Sequence, residues 1–443
     1  MNDDQTLPAG PLLVFGLGVT GRAVTAALSL RGRAVIAADD SPSEVAQTLL
    51  GELGVELATG DVEVLVGRAN GLVPTPGLPD AHPVLAAARA AGLPVLSEFD
   101  LAHSWDERPL VAITGTNGKT TVTTLVTEML QESGLAAVAA GNTDVPLVAA
   151  IDDPMIDVFV VEASSFRLGH SRHFAPDVGV WLNFAPDHLD VHADLAAYES
   201  AKARIWRQQG PEQLAVANAA DPVVARHATG PARVVNFGGA DDFHEVDGVL
   251  VTPDGVRILA VDELRRALPH DVANALAASA AALGAGATLE GVREALAGFE
   301  GLAHRVSLVG EADGIRWFDD SKATTPHAIA AAVRGFPSVV LIAGGRNKGL
   351  DLAVIAELVP PVRAVVGIGE AGPEIVEALA GIPSSLASSM DDAVIAARRL
   401  ANPGDVVVLS PGCASFDWYR NYGERGDDFV RCVQDLVLSG GGS

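Results

Sequence analysis

Short aliphatic and β-branched runs recur along the chain, each followed by a turn rich in Gly, Asp or Ser and then by an Ala/Leu stretch with helical spacing. Strands that read as unbroken apolar runs are buried on both faces. Their alternation with helices therefore predicts an α/β architecture of mostly parallel sheets covered on both sides. Three blocks are expected. The first, 1–107, carries strand candidates at 12–15, 34–37 and 62–66, then a loop containing Pro74, Pro76, Gly77 and Pro79. The second, 108–302, has strand candidates at 110–113, 136–140, 158–161, 178–182 and 214–216, with helices over 122–130 and 272–283. The third, 303–443, has strands at 315–318, 339–342, 364–368 and 406–409 and a helix over 328–333. A Gly/Ser tail from Ser439 is expected to be disordered. No internal repeat interrupts this order.

Composition narrows the function classes. A chain of 443 residues that is 49% apolar has ample material for several cores. A formal charge of −26 argues against a nucleic-acid or membrane-surface partner, so an anionic ligand must be held by local donors. Two cysteines make no disulfide framework, the start Met1-Asn2-Asp3-Asp4 lacks the basic region of a signal peptide, and no apolar stretch reaches the ~18 residues that span a bilayer. A soluble cytoplasmic protein follows; a monomer is a separate expectation. Four lysines stand out: Lys119, Lys202, Lys322 and Lys348, with arginine at every other basic position. The exchange to arginine fails where a compact charge is needed, or an amine that can lose its proton.

Gly16-Leu17-Gly18-Val19-Thr20-Gly21 follows a strand and opens a helix, where glycines let a pyrophosphate approach the backbone. Asp39 and Asp40 end the next strand, the place of a ribose-binding acid. Alone, this pattern suits a nicotinamide dehydrogenase, another nucleoside diphosphate, or simply a tight turn. The segment Thr114-Gly115-Thr116-Asn117-Gly118-Lys119-Thr120-Thr121 is more specific. It is a shortened phosphate loop whose N–H groups can cradle phosphates. Lys119 can reach the β and γ groups, and Thr120 or Thr121 can ligate Mg²⁺. Two phosphate loops in separate blocks are more than a dehydrogenase needs. Glu162, Asn142 and His188 lie at carboxyl ends of strands, where open α/β sheets bind ligands. In the third block, His304-Arg305, Asp320, Lys322 and the run Ser410-Pro411-Gly412-Cys413-Ala414-Ser415 also sit beside strand ends. Arg305 suits a phosphate clamp.

Taken in order, Gly16–Gly21, Gly-Thr-Asn-Gly-Lys-Thr, Glu-Ala-Ser-Ser-Phe, Asp-His-Leu-Asp, His-Arg and Asp-Ser-Lys-Ala-Thr strongly resemble the Mur ligase family over about residues 11–432. The Asp320–Thr324 and Ser410–Ser415 segments point to its D-glutamate-adding branch. The resemblance implies a Rossmann-like UDP-binding domain (1–107), a central P-loop-type ATPase domain (108–302) and a Rossmann-like C-terminal domain that brings the amino acid (303–443). It places the UDP-sugar on Gly16, Leu17, Gly18, Val19, Thr20, Gly21, Asp39, Gly77, Asn142 and His188. ATP falls to Gly115, Thr116, Asn117, Gly118, Lys119, Thr120, Thr121, Asn274, Arg305 and Asp320, and D-glutamate to Lys322, Thr324, Lys348, Ser415 and Tyr422. It further implies two Mg²⁺ ions on Thr120 or Thr121, Glu162, His188 and Lys202, with Lys202 carbamylated by CO₂. A neutral amine can add CO₂; a guanidinium cannot. Two positions depart from the family pattern: Asp271 stands where Asn is frequent, and Arg346-Asn347 precede Lys348.

The activity so implied is ATP-driven amide formation. The L-alanine carboxylate of UDP-N-acetylmuramoyl-L-alanine attacks the γ-phosphorus, and the D-glutamate amine then displaces phosphate from the acyl phosphate. Lys119, Glu162, His188, Lys202 and Arg305 carry the chemistry, and water has to be kept from the acyl phosphate. The rival readings are a sibling ligase with another amino acid or acceptor, and a nucleotide-binding regulator that kept the fold without the reaction.

Overall fold

The computed structural model describes residues 7–143, 145–189 and 191–440. Met1–Asp4 and Asp190, both used in the sequence argument, lie outside these residues, as do 441–443 of the tail. The last helix, Tyr422–Gly440, takes in Ser439 and Gly440, which were expected to belong to a disordered tail.

Three mostly parallel sheets carry the fold. The first has the order β2-β1-β3, from β1 (Leu12–Phe15), β2 (Val35–Ala38) and β3 (Gly71–Pro74). The second is built from β4 (Leu110–Thr114), β5 (Ala137–Gly141), β6 (Val158–Glu162), β7 (Val178–Trp181), β8 (Leu214–Asn218) and β9 (Arg233–Phe237). Its order is β5-β6-β4-β7-β8-β9, all parallel. An antiparallel ribbon follows, of β10 (His244–Val246), β11 (Val249–Val251) and β12 (Arg257–Ala260). The third sheet contains β13 (Ser307–Ala312), β14 (Ile315–Asp319), β15 (Val339–Gly344), β16 (Val362–Ile368), β17 (Ser384–Leu386) and β18 (Val406–Gly412). Its order is β13-β14-β18-β15-β16-β17, with β13 antiparallel at the edge.

Alternate residues of single strands feed different cores. Leu110 and Ala112 face one core and Val111 and Ile113 another; Val339, Leu341 and Ala343 part in the same way from Val340 and Ile342. Burial on both faces is the reason these strands are apolar throughout. The residues group into two compact units: 1–267 with 271–299, and 268–270 with 300–443. The first two sheets share one unit because Leu12, Val14, Phe99, Leu110 and Ala112 join a single buried cluster.

One element differs in kind from expectation. Residues 62–66 form a helix, Val62–Gly67, not a strand. Its three valines suggested β structure, yet only Leu65 and Val66 are buried while Val64 is 59% exposed, a helical pattern of burial. The third strand is instead Gly71–Pro74, whose last residue was read from the sequence as part of the following loop. It lies at a sheet edge and ends on its proline, where a missing N–H is tolerated. The antiparallel β10–β12 ribbon and the β13–β14 hairpin were likewise not foreseen.

Candidate active site

The phosphate loop joins β4 to the helix Lys119–Glu132, with Gly118 at its N-cap in left-handed conformation (φ 86°). A Cβ at Gly118 would come within 2.7 Å of Asn274 Oδ1, so glycine is required and Asn274 lies against the loop. The loop is braced from the end of β7. Asn117 N donates to Asn183 Oδ1 (2.8 Å), Asn183 Nδ2 donates to Asn117 O (3.1 Å), and Thr116 N donates to Asn183 O (3.0 Å). Thr116 Oγ1 lies 3.2 Å from the Tyr198 hydroxyl and accepts from Ala185 N (3.0 Å).

Two of the four lysines meet on this loop. Lys119 Nζ donates to Gly115 O (2.9 Å) and Thr116 O (3.0 Å), and Lys202 Nζ donates to Gly115 O (2.6 Å). Lys202 comes from the helix Leu195–Arg207, is 1% exposed, and stands 4.6 Å over the Tyr198 ring. Burial first, and then the Lys119 charge, push its amine well below the ordinary lysine range, with Asp187 acting against them.

Glu162 ends β6, adjacent to β4, and is buried. Thr120 Oγ1 donates to its Oε2 (2.7 Å) and Asn142 Nδ2 to its Oε1 (3.0 Å). Of the two candidate threonines it is Thr120 that reaches Glu162; Thr121 is buried in the helix. His188 adopts a left-handed backbone (φ 55°), with its ring edge-on to Phe166 and Nε2 3.4 Å from Asp187 Oδ2. Among the described residues no three His, Cys, Asp or Glu side chains cluster to hold a metal.

The glycine loop of the first sheet belongs to the same unit. Gly16 (φ 90°) packs so tightly that a Cβ would meet Thr75 Cγ2 at 2.4 Å, and one at Gly21 would meet Gly16 O at 1.8 Å. Asp39 accepts from Leu17 N (2.5 Å) and Ser41 N (2.7 Å), which braces the loop. Gly18 caps the helix Val19–Leu30 without a side-chain bond, and Gly77 turns at φ 85° in open space. Sequence reasoning missed a buried triad here. Arg167 donates to Glu98 Oε1 (2.6 Å) and to Thr20 Oγ1 (2.9 Å), tying the segment after β6 to the glycine loop. It also missed buried His192, 2.9 Å from Ser165 Oγ and 3.6 Å from Asp80. Neither shows any local motif, since the partners lie far apart in the chain.

In the second unit, Arg305 is flanked by His304 and Val306, both with positive φ (59° and 51°). For the β-branched Val306 that conformation is strained. His304 Nδ1 sits 2.6 Å from Asp319 Oδ2. Ser410 Oγ donates to Asp320 Oδ2 (2.8 Å), and burial drives the Asp320 carboxyl up to about 7, reinforced by Asp319 and opposed by Ser410 and Arg305. Lys322 Nζ lies 3.8 Å over the Tyr422 ring and Lys348 Nζ 5.5 Å from the Phe416 ring centre. Thr324 is half-buried and Ser415 buried. Buried Arg425, also unforeseen, joins the two turns by donating to Ser321 Oγ, Ser321 O and Cys413 O. The departures from the family pattern have structural partners. Asp271 pairs with Arg266 (2.6 Å), and Arg346 pairs with Glu370 (2.9 Å).

Known proteins resemble this chain in sequence and in fold. Residues 113–282 match the Mur ligase middle domain, and residues 304–413 match the Mur ligase glutamate ligase domain. The chain is 42% identical to the UDP-N-acetylmuramoylalanine–D-glutamate ligase of Frankia casuarinae, over 96% of this chain and 94% of that protein. It is 39% identical to the protein of the same name from Pelotomaculum thermopropionicum, over 96% and 97%. A MurF ligase from Thermotoga maritima in complex with ADP superposes with TM-score 0.62 at 16% identity, over 99% of this chain and 97% of that one. A pseudomurein peptide ligase type C from Methanothermus fervidus superposes with TM-score 0.59 at 17% identity, over 96% and 100%. At those identities the two structures speak for the fold.

Proposed function

The chain belongs to the Mur ligase family, and on that premise we propose that it joins D-glutamate to UDP-N-acetylmuramoyl-L-alanine at the expense of ATP, in cytoplasmic peptidoglycan precursor synthesis. The observation that carries the reading is the meeting of Lys119 and Lys202 on the Gly115 carbonyl, one loop away from the Thr120–Glu162 pair. A regulator that had lost the chemistry would have no need of a fully buried amine. The domains would divide at 107/108 and 302/303.

In the reaction, an oxygen of the L-alanine carboxylate bonds to the γ-phosphorus as the bond to the β-phosphate oxygen breaks, releasing ADP. The D-glutamate amine then bonds to the acyl carbon, loses a proton, and phosphate leaves. Little covalent work falls to the protein; it positions the groups and neutralises charge. The N–H groups of 115–118 cradle the phosphates, while Lys119 and Arg305 supply positive charge. Asn274 and Asp320 hold the nucleoside, with Thr121 supporting the loop. Gly16–Gly21, Asp39, Gly77, Asn142 and His188 seat the UDP-sugar, and Lys322, Thr324, Lys348, Ser415 and Tyr422 seat D-glutamate. The Thr120 hydroxyl and Glu162 carboxylate are hard oxygen donors and fit Mg²⁺, with His188 and Lys202 completing the set. The depressed amine of Lys202 fits CO₂ addition, which would turn a cation into an oxygen ligand. Bound Mg²⁺ would offset the negative charge that gathers on the carboxylate and γ-phosphate. The protein is expected to act as a monomer; no described helix is long and apolar enough to cross a membrane.

The test is phosphate release with Mg-ATP and UDP-N-acetylmuramoyl-L-alanine, adding D-glutamate, L-glutamate, L-alanine or nothing. Release that depends on D-glutamate alone establishes reaction and acceptor together. Release with another amino acid moves the specificity, and none at all, despite ATP binding, favours the regulator.

A further inference from the structure

A second basic centre lies in the first unit, on the far end of the helix that carries Lys202. Ser171, Arg172, His173, Arg204, Arg207 and Gln208 line a cleft of about 320 Å³. Three guanidiniums and an imidazole thus share one cavity in a chain of formal charge −26. Several other arginines of this acidic protein find carboxylates: Arg431 by itself pairs with Asp391, Asp428 and Asp435. Here none of the three arginines makes an ion pair with a described residue. Arg172 Nε donates to Val95 O (3.0 Å) and Arg204 Nη1 to Ser171 O (2.7 Å), so both side chains are held by backbone carbonyls and not by carboxylates.

Asp100, beneath the cleft, is already engaged. Asp100 is 1% exposed and its two oxygens accept from the backbone N–H groups of Ser97, Arg172, His173 and Phe174. It therefore shapes the loop that presents Arg172 and His173. Like charges at this distance are felt: burial first, and then Arg207, hold the Arg204 guanidinium below its ordinary value, with Arg172 adding and Asp100 opposing. Helix C-termini welcome positive charge, which accounts for Arg204 and Arg207 singly. It does not account for Arg172, which comes from a different segment and completes the ring of donors.

We propose that this cleft is a binding site for a small phosphate-bearing anion, distinct from the phosphate loop. Guanidinium forks pair two-by-two with phosphate oxygens, and several converging on one cavity favour a di- or triphosphate over a single carboxylate. The volume is at the lower end of small-molecule sites, right for a compact ligand.

The experiment is calorimetric titration of the full chain with inorganic pyrophosphate at low ionic strength, in a Lys119→Ala background that weakens the ATP site. Binding should persist in that background and fall as salt rises. Arg172→Glu and Arg207→Glu should each weaken it by roughly tenfold or more. Both positions are exposed, so unchanged melting temperatures, with the neutral Arg172→Gln and Arg207→Gln as milder versions, report that the fold is intact. In the Lys119 parent, Arg207→Glu should leave basal turnover unchanged. Pyrophosphate binding that disappears with Lys119→Ala, or that ignores all four arginine variants, would overturn the proposal. Citrate binding as tightly as pyrophosphate would overturn the assignment to phosphate.

Discussion

The four lysines divide between two environments, and the contrast separates two kinds of work. In the first unit Lys119 and Lys202 point into backbone: both donate to the Gly115 carbonyl, and Lys202 is sealed from solvent. In the second unit Lys322 and Lys348 stand over aromatic faces, Tyr422 and Phe416, with Tyr422 37% and Phe416 55% exposed. A buried amine next to another cation has its proton loosened and can react or bind phosphate at close range. An ammonium over an open ring keeps its charge toward solvent and suits capture of a free carboxylate. The retained lysines thus sit in two environments governed by different physics.

The largest expected effect tests the first half of this contrast. Lys119→Ala should reduce ADP formation by roughly 10³-fold, since a donor aimed at developing phosphate charge is lost; near-normal turnover would remove its assigned role. Lys202→Ala should cost about 100-fold and regain activity with added formate or acetate, whereas Lys202→Arg should not regain it. Activity indifferent to both the substitution and CO₂ removal would erase the distinction between the two environments.

A third prediction concerns stability. Asp320 has a folded value of about 7 against an unfolded one of about 3.9, so between those values the folded state holds the extra proton. Its contribution is fully favourable below about pH 4 and is lost as pH rises toward 7. Asp320→Asn should remove that slope, at most about 1.4 kcal/mol per pH unit, in denaturant melts at pH 5 and pH 8. Identical slopes for both proteins would refute the raised value. The smallest effects belong to the aromatic platforms. Tyr422→Leu should raise the KM for D-glutamate about five-fold and Phe416→Ala less, with kcat little changed. A fall in kcat at constant KM would mean that the second pair of lysines acts on the reaction as the first does.

The legible part of the site is the part written locally. The phosphate loop, Glu162 and the glycine loop were all found from spacing, because a strand, a glycine-rich turn and a helix start are consecutive in the chain. Contacts between distant segments were not legible. Asn183 bracing Asn117, Glu98 and Thr20 meeting on Arg167, and Arg425 bridging Ser321 and Cys413 span 66 or more positions in the first cases and 104 and 12 in the last. The helix Val62–Gly67 failed for a related reason: its valines have β propensity, but Asp61 at its N-cap position, Glu63 in its first turn and burial of only one side outweigh it.

The sequence by itself determined the α/β alternation, the strand-end placement of candidate residues such as Glu162 and the four positions where an ammonium is retained, because each depends on residues a few places apart. Only the tertiary structure decided that Lys119 and Lys202 share one carbonyl, that Thr120 and not Thr121 reaches Glu162, and that Arg172 joins Arg204 and Arg207 in one cleft. Those pairings arise when strands distant in the chain are laid side by side, and burial then sets the charge each group can bear.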